Sequence, residues 1–209
     1  MGPINPEPES QEPVFHADWE RRVFALTLAT GMLGKWNIDE SRHARERQDP
    51  LTYIENSYYE NWLEGLEKLL REKGLLESDE LAGNGVSSDT GLSAQVPDPQ
   101  LASKILASGA SSEREARSEA LFSVGDRVVV RASEGTGHTR APRYVQGVSG
   151  IVSAVVGCHS FPDSNATGVH EGATLYRVSF QGEDRWGQTG ANSEVLVDLW
   201  EPYLNAGES

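Results

Sequence analysis

An α+β fold is predicted for this chain, with a helical N-terminal half, a variable linker and a small C-terminal β-barrel. Three observations predict it. Apolar residues recur at a helical period across residues 14–83. Glycine, serine and alanine then dominate "AGNGVSSDTGLSAQVPDPQ" without any period, which marks residues 84–120 as a linker with room for one short helix. Across residues 121–209 the period drops to two, the signature of strands. A length of 209 residues with 37% hydrophobic content is enough for one large core or two small ones.

Residues 1–13 carry four prolines and three glutamates and almost nothing apolar, which predicts an extended arm. A first helix is expected from "FHADWE" to Gly31 or Gly34, where a glycine stops it. Asn37-Ile38-Asp39-Glu40 has capping-box spacing, so a second helix should carry "SRHARER". Asp49-Pro50 ends that helix, because a residue before proline avoids the α region, and Pro50 suits the first turn of a short third helix toward Ile54. Ser57 to Glu60 repeats the box and opens a fourth helix, whose apolar stripe is Trp62, Leu63, Leu66, Leu69 and Leu70. Arg71 and Lys73 suit its C-terminal dipole and Gly74 its end. Within the linker, the short helix is expected over 101–107.

Strands are expected over 127–131, 150–156, 175–180 and 195–200, where β-branched and aromatic residues alternate with polar ones. Gly125-Asp126 provides a tight turn ahead of the first strand. Four or five short strands in so small a segment fit an SH3-like barrel, which is a scaffold and does not by itself assign an activity. Residues 137–147, "GHTRAPRYVQG", fall between the first two strands and form an exposed loop whose course Pro142 fixes.

Charge and cysteine content narrow the function. Thirty-two acidic against eighteen basic residues give a formal charge of −14, so binding to nucleic acid or an anionic membrane is disfavoured. The longest apolar stretch, residues 23–29, is far short of the ~20 residues of a bilayer crossing, and no basic-then-apolar leader opens the chain, so a cytoplasmic address is expected. Cys158 is the only cysteine, which excludes a multi-thiolate metal site built by this chain alone. GxGxxG, P-loop, Gly-x-Ser-x-Gly and HExxH patterns are absent.

The remaining candidates each have a plain reading and a functional one. Arg140 and Arg143 are either a solvated basic loop or a grip on an oxyanion, since guanidinium presents a planar fork of donors that matches two oxygens. His138, with no second histidine at ligand spacing, reads as a hydrogen-bonded loop residue rather than a catalytic base. Arg42, Arg45 and Arg47 either pair with neighbouring acids on a helix surface or meet another chain, because a helix this polar is marginal alone. Tyr58, Tyr59 and Trp62 cluster at the head of the fourth helix, as core, interface or pocket wall.

Read together, "PVFHADWERRVFAL", "NIDESRHARERQDPLTYIENSYYENWL", "GHTRAPRYVQGVSGIV" and "VDLWEPYL" resemble the β subunit of nitrile hydratase, in the family's order of arm, helical half, variable linker and SH3-like half. Thiocyanate hydrolase is a similar relative in which the halves are separate chains. The resemblance implies an enzyme of the hydro-lyase class that adds water to a small nitrile. It also implies a partner α subunit holding low-spin cobalt(III) or iron(III) through three cysteines, two of them oxidised, and an αβ pair that dimerises into an (αβ)2 heterotetramer. "RWGQ" and "DLWEPY" look closer to the cobalt type. This chain would then bind no metal. Arg42 and Arg140 match the family arginines that hydrogen-bond the oxidised cysteines, Tyr58 matches a tyrosine that reaches toward the substrate, and Ile38 with Trp62 match part of its apolar wall. Relatives place a longer glycine-rich arm ahead of the position of Gly2-Pro3-Ile4, often carry a larger apolar residue where Ser41 stands, and sometimes a histidine at Asn61. Two rival readings are an accessory or metallochaperone-like activator of an α chain, and a nucleic-acid-binding barrel, against which the net charge stands.

Overall fold

The computed structural model describes residues 8, 11, 13–77, 80, 96–133, 135, 137–183 and 187–207. Most of the expected arm, much of the linker, and Arg185 and Trp186 of the "RWGQ" motif lie outside the described residues. The chain divides into two compact units, residues 1–109 and 110–209. None of the helices among the described residues is long and apolar enough to cross a membrane.

The first unit is helical: α1 (Asp18–Gly31), α2 (Ile38–Glu46), α3 (Pro50–Glu55), α4 (Tyr58–Glu72) and α5 (Pro99–Ser108). Each start has a local cause. The Glu20 carboxylate accepts from the His16 and Ala17 amides ahead of α1. The Asn37 side chain accepts from the Asp39 and Glu40 amides at 2.9 and 3.0 Å while Glu40 reaches back to the Asn37 N–H at 2.7 Å, completing the box at α2. Asp49 caps α3 through the Leu51 and Thr52 amides, with Pro50 in its first turn. At α4 Glu60 accepts from the Ser57 N–H at 2.6 Å. After α1 and α4 the chain leaves through Gly34 and Gly74 at φ of 66° and 65°, in the left-handed region that favours glycine.

The core of this unit forms where α2 meets α4: Trp36, Ala44, Leu66 and Leu69 are buried, and Leu70 and Leu75 pack against them. The stripe differs from the sequence expectation at Leu63, which is 41% exposed. Gly65 is buried in its place, because here α2 crosses so closely that a Cβ on Gly65 would collide with Cγ of Arg45 and lie 3.2 and 3.3 Å from its backbone N and Cα. Charged pairs then clamp the two helices at the rim. Arg47 meets Glu72 with two hydrogen bonds of 2.7 and 2.9 Å, and Lys73 meets Glu40 at 2.6 Å. The first pair holds the Glu72 carboxyl below the ordinary carboxylate value and raises Arg47.

The second unit is an antiparallel sheet of β1 (Arg127–Val130), β2 (Ser149–Ser160), β3 (Gly172–Gln181), β4 (Glu194–Trp200) and β5 (Leu204–Ala206), in the order β4-β3-β2-β1-β5. A four-residue helix, α6 (Pro162–Asn165), interrupts the path from β2 to β3. Gly125 at φ 97° makes the turn into β1, where the Asp126 carboxylate also accepts from the Ser123 amide at 2.8 Å. Four of the five strands fall on segments marked by alternation, and the fifth, β5, is only three residues long, too short to show one. The α+β class holds, and among the described residues the ladder has β4 and β5 as its two unjoined ends. The sheet nevertheless bends. In β2 the register against β3 slips between Val152 and Ala154 and again between Val155 and Gly157, and such bulges sharpen the twist of a strand.

One face of that sheet carries the core, from Val128 and Val130 on β1, Val152 on β2, Tyr176, Val178 and Phe180 on β3, and Leu199 on β4. Ala141 and Val145 of the loop, with Tyr203 and Leu204, complete it.

The tight crossing in the helical unit predicts that Gly65→Ala destabilises the protein. Overpacking of about 1–3 kcal/mol should exceed the ~1 kcal/mol of helix propensity gained. Thermal unfolding should show a lower Tm, and a higher one would mean that α2 and α4 stand farther apart.

Candidate functional site

Arg42 and Arg140, the two arginines with expected site roles, and Arg45, a third candidate, sit in distinct settings. On α2, Arg42 donates from Nη1 to Oδ1 of Asp39 at 2.9 Å, and the Asp39 side chain is 6% exposed against 39% for Arg42. A buried carboxylate one turn back thus fixes one edge of the fork while the rest of the guanidinium faces outward. Ile38, at the start of the same helix, is exposed.

One turn further, Arg45 is more deeply set. Its guanidinium carbon lies 4.1 Å from the centre of the Trp62 ring, and Nη2 donates to the Ser41 hydroxyl at 3.1 Å. Burial is the main cause that lowers its pKa from the usual arginine value, with the nearby Tyr58 acting in the opposite sense. The stem of this side chain lies over Gly65 of α4, so the close helix crossing is what delivers the cation to the ring. Nothing in the sequence marks Arg45, rather than Arg42, as the arginine that stacks on Trp62. The available signals, Ser41 at i−4 and a glycine inside α4, acquire meaning only when the two helices meet.

Trp62 belongs to an aromatic cluster. Tyr58 and Tyr59 lie 5.6 and 5.9 Å from it, Phe24 of α1 lies 6.1 Å away, and Phe15 contacts Tyr59 at 5.4 Å. Tyr59 is buried, whereas Tyr58 is 67% exposed at the edge of the cluster. Burial raises the Tyr59 pKa, helped by Tyr58 and Glu20. A pocket of about 490 Å³ opens beside the cluster, lined by Pro13, Val14, His16, Glu20, Ser57, Tyr58 and Tyr59. Of the residues expected to form a substrate wall, Tyr58 lines this pocket, and Ile38 and Trp62 do not.

Arg140 lies in the second unit, on the loop between β1 and β2. The loop is anchored from inside: His138 and Ala141 are buried, and a 3-10 turn at Arg143–Val145 buries Val145. Gln146 ties the two limbs by donating to the Ala141 carbonyl at 3.0 Å and accepting from the Ser133 amide at 3.0 Å. The Arg140 N–H donates to the Tyr203 hydroxyl at 3.0 Å. Its side chain, with that of Arg143, stays at the surface. Tyr203 and Asp163 lie 40 residues apart and join at this point, a pairing that no local pattern announces.

The donor set does not suit a thiolate-bound metal. Cys158 is the chain's single cysteine, and its sulfur lies 3.7 Å from the Glu115 carbonyl oxygen at the end of β2. Arginine forks and aromatic rings are what these residues offer to a ligand.

The fold and these side chains define a two-unit α+β protein that can grip oxyanions and pack against apolar groups. Comparison with known proteins gives the family. The family model for the nitrile hydratase beta subunit, N-terminal, matches residues 1–108, and that for the nitrile hydratase beta subunit, C-terminal, matches residues 111–206. The chain belongs to the nitrile hydratase beta subunit family. It is 41% identical over 216 residues to the low-molecular weight cobalt-containing nitrile hydratase subunit beta of Rhodococcus rhodochrous, covering 98% of this chain and 93% of that one. It is 38% identical to the nitrile hydratase subunit beta of Pseudomonas putida, with 97% and 93% covered, and 32% identical to the cobalt-containing nitrile hydratase subunit beta of Pseudonocardia thermophila, with 98% and 91% covered. Among solved structures, apo thiocyanate hydrolase of Thiobacillus thioparus aligns with a TM-score of 0.42 at 24% identity, over 63% of this chain and 98% of that one.

The stacked cation predicts a measurable coupling. Arg45→Met and Trp62→Leu, singly and together, should give an interaction energy of about 0.5–2 kcal/mol in urea unfolding. Additivity of the two changes would show that the guanidinium does not rest on the ring.

Proposed function

We propose that the chain is the β subunit of a nitrile hydratase and works in a heteromer with an α subunit. The observation that carries this reading is the family match across both units, with relatives 32–41% identical over nearly the whole chain. The reaction adds water across a C≡N bond, oxygen to carbon and hydrogen to nitrogen, and leaves an amide. A metal held by oxidised cysteines of the α subunit supplies Lewis-acid activation when bound, and cobalt(III) is favoured over iron(III) by the names of two relatives. The single cysteine of this chain supports assigning that metal to the partner. Two αβ pairs form an (αβ)2 heterotetramer in the cytoplasm.

In this reading the chain contributes its arginines. Arg42 and Arg140 hydrogen-bond the oxygens of the α subunit's oxidised cysteines and hold them in the orientation the reaction needs. The Asp39 carboxylate supports the role of Arg42 by leaving its other donors directed outward. Tyr58 reaches toward the nitrile, and Ile38 and Trp62 form part of its apolar wall, with Ile38 and Tyr58 exposed until a partner covers them. The second unit is an SH3-like barrel, a reading supported by the strand order β4-β3-β2-β1-β5, the bulged β2 and the 3-10 turn Glu201–Tyr203 ahead of β5. The accessory-protein alternative is disfavoured because both family domains are matched in one chain.

Arg42→Lys and Arg140→Lys keep the charge and lose the fork, so each should lower nitrile hydration ~10-fold or more in the co-expressed heteromer without preventing assembly. Full turnover in both would remove the proposed role. The isolated chain should contain neither cobalt nor iron and hydrate no nitrile; one metal ion per purified chain would contradict the assignment to the partner.

A further inference from the structure

The Tyr203 hydroxyl stands at the junction of three segments that are far apart in sequence. Its ring is 7% exposed and wedged between Phe161, at a centroid distance of 5.5 Å, and Trp200 at 6.3 Å. Its backbone carbonyl accepts from the Arg131 N–H at 2.7 Å, so the residue is tied to the first limb of the loop as well. The hydroxyl donates to the Asp163 carboxylate at the start of α6 and accepts the Arg140 N–H at 3.0 Å. A carboxylate has no proton to give, so the phenolic hydrogen points to Asp163 and a lone pair is left for the Arg140 amide. Burial first, and the Asp163 bond second, push the Tyr203 pKa up, which keeps the hydroxyl protonated and this polarity intact.

We propose that Tyr203, oriented by Asp163, is a positioning residue that fixes the backbone of Arg140 and so the point from which its guanidinium projects. The proposal rests on the role of Arg140 given above and adds the device that makes that role precise. An exposed arginine on a loop would otherwise spread over many backbone conformations, and a displacement of the order of 1 Å is enough to spoil a catalytic contact. Tyr203 and Asp163 touch neither substrate nor metal in this account. Their effect passes through Arg140.

The test uses Tyr203→Phe and, because that variant also takes a donor from the half-buried Asp163 carboxylate, Asp163→Ala, which keeps the ring in place. In the heteromer each should reduce kcat by roughly 3- to 10-fold, the scale of one lost hydrogen bond, with KM unchanged. In an Arg140→Lys background the same changes should have little further effect, since the group they position is already compromised. In the full chain alone, hydrogen exchange should quicken in residues 137–147 and stay unchanged in β2 and β3. Equal losses of kcat in both backgrounds, or unaltered exchange in 137–147, would overturn the proposal. Should Arg140→Lys itself retain full turnover, the arginine's catalytic role fails, while the exchange result still decides whether Tyr203 holds the loop.

Discussion

A guanidinium keeps its charge at every pH a protein meets, and this constraint shapes both units. Such a group cannot be neutralised to escape a poor environment, so wherever it is drawn toward the interior something must answer its charge or fix its frame. The chain uses a different answer at each position. Arg42 leans on a buried carboxylate one turn away, Arg45 on an indole face and a serine hydroxyl, and Arg47 on an acid from the facing helix. Arg140 is treated in another way: its side chain is left outside and its main chain is held.

The helical unit is organised to make the second of these answers available. Gly65 removes a side chain where α2 and α4 would otherwise be forced apart, and the aliphatic stem of Arg45 fills the space. The guanidinium then lands on Trp62, which four other aromatic residues surround directly or through Tyr59. Long polar side chains commonly bury their stems and keep their heads near the surface, and here the head ends on a ring instead of in water. The helices are therefore joined by a polar residue as much as by Leu66 and Leu69.

In the sheet unit the corresponding work falls on backbone geometry. The two register slips bend the long strand β2, which pairs with β1 through its first residues on one edge and with β3 from Ile151 to Ser160 on the other, around a shared set of valines and aromatic residues. Gly150 allows that approach, since a Cβ there would lie 2.6 Å from Val178 and 2.8 Å from Phe180. The loop with Arg140 inherits its position from this frame through Ala141, Val145 and Tyr203, which are part of the core.

Residues close in sequence, acting over a turn or two, decided much that could be read directly. The caps at Asn37 and Asp49, the glycine stops at Gly34 and Gly74, the alternation in β1 and β3 and the Gly125-Asp126 turn all follow from neighbours a few positions apart, because capping, strand alternation and φ preference are short-range effects. The choice of Arg45 rather than Arg42 to stack on Trp62, the exposure of Leu63, the short β5, the unjoined ends of the sheet and the meeting of Arg140, Tyr203 and Asp163 were decided only by tertiary structure. Each depends on a contact between segments tens of residues apart, and the energy of such a contact is set by packing distance, to which composition and periodicity are blind.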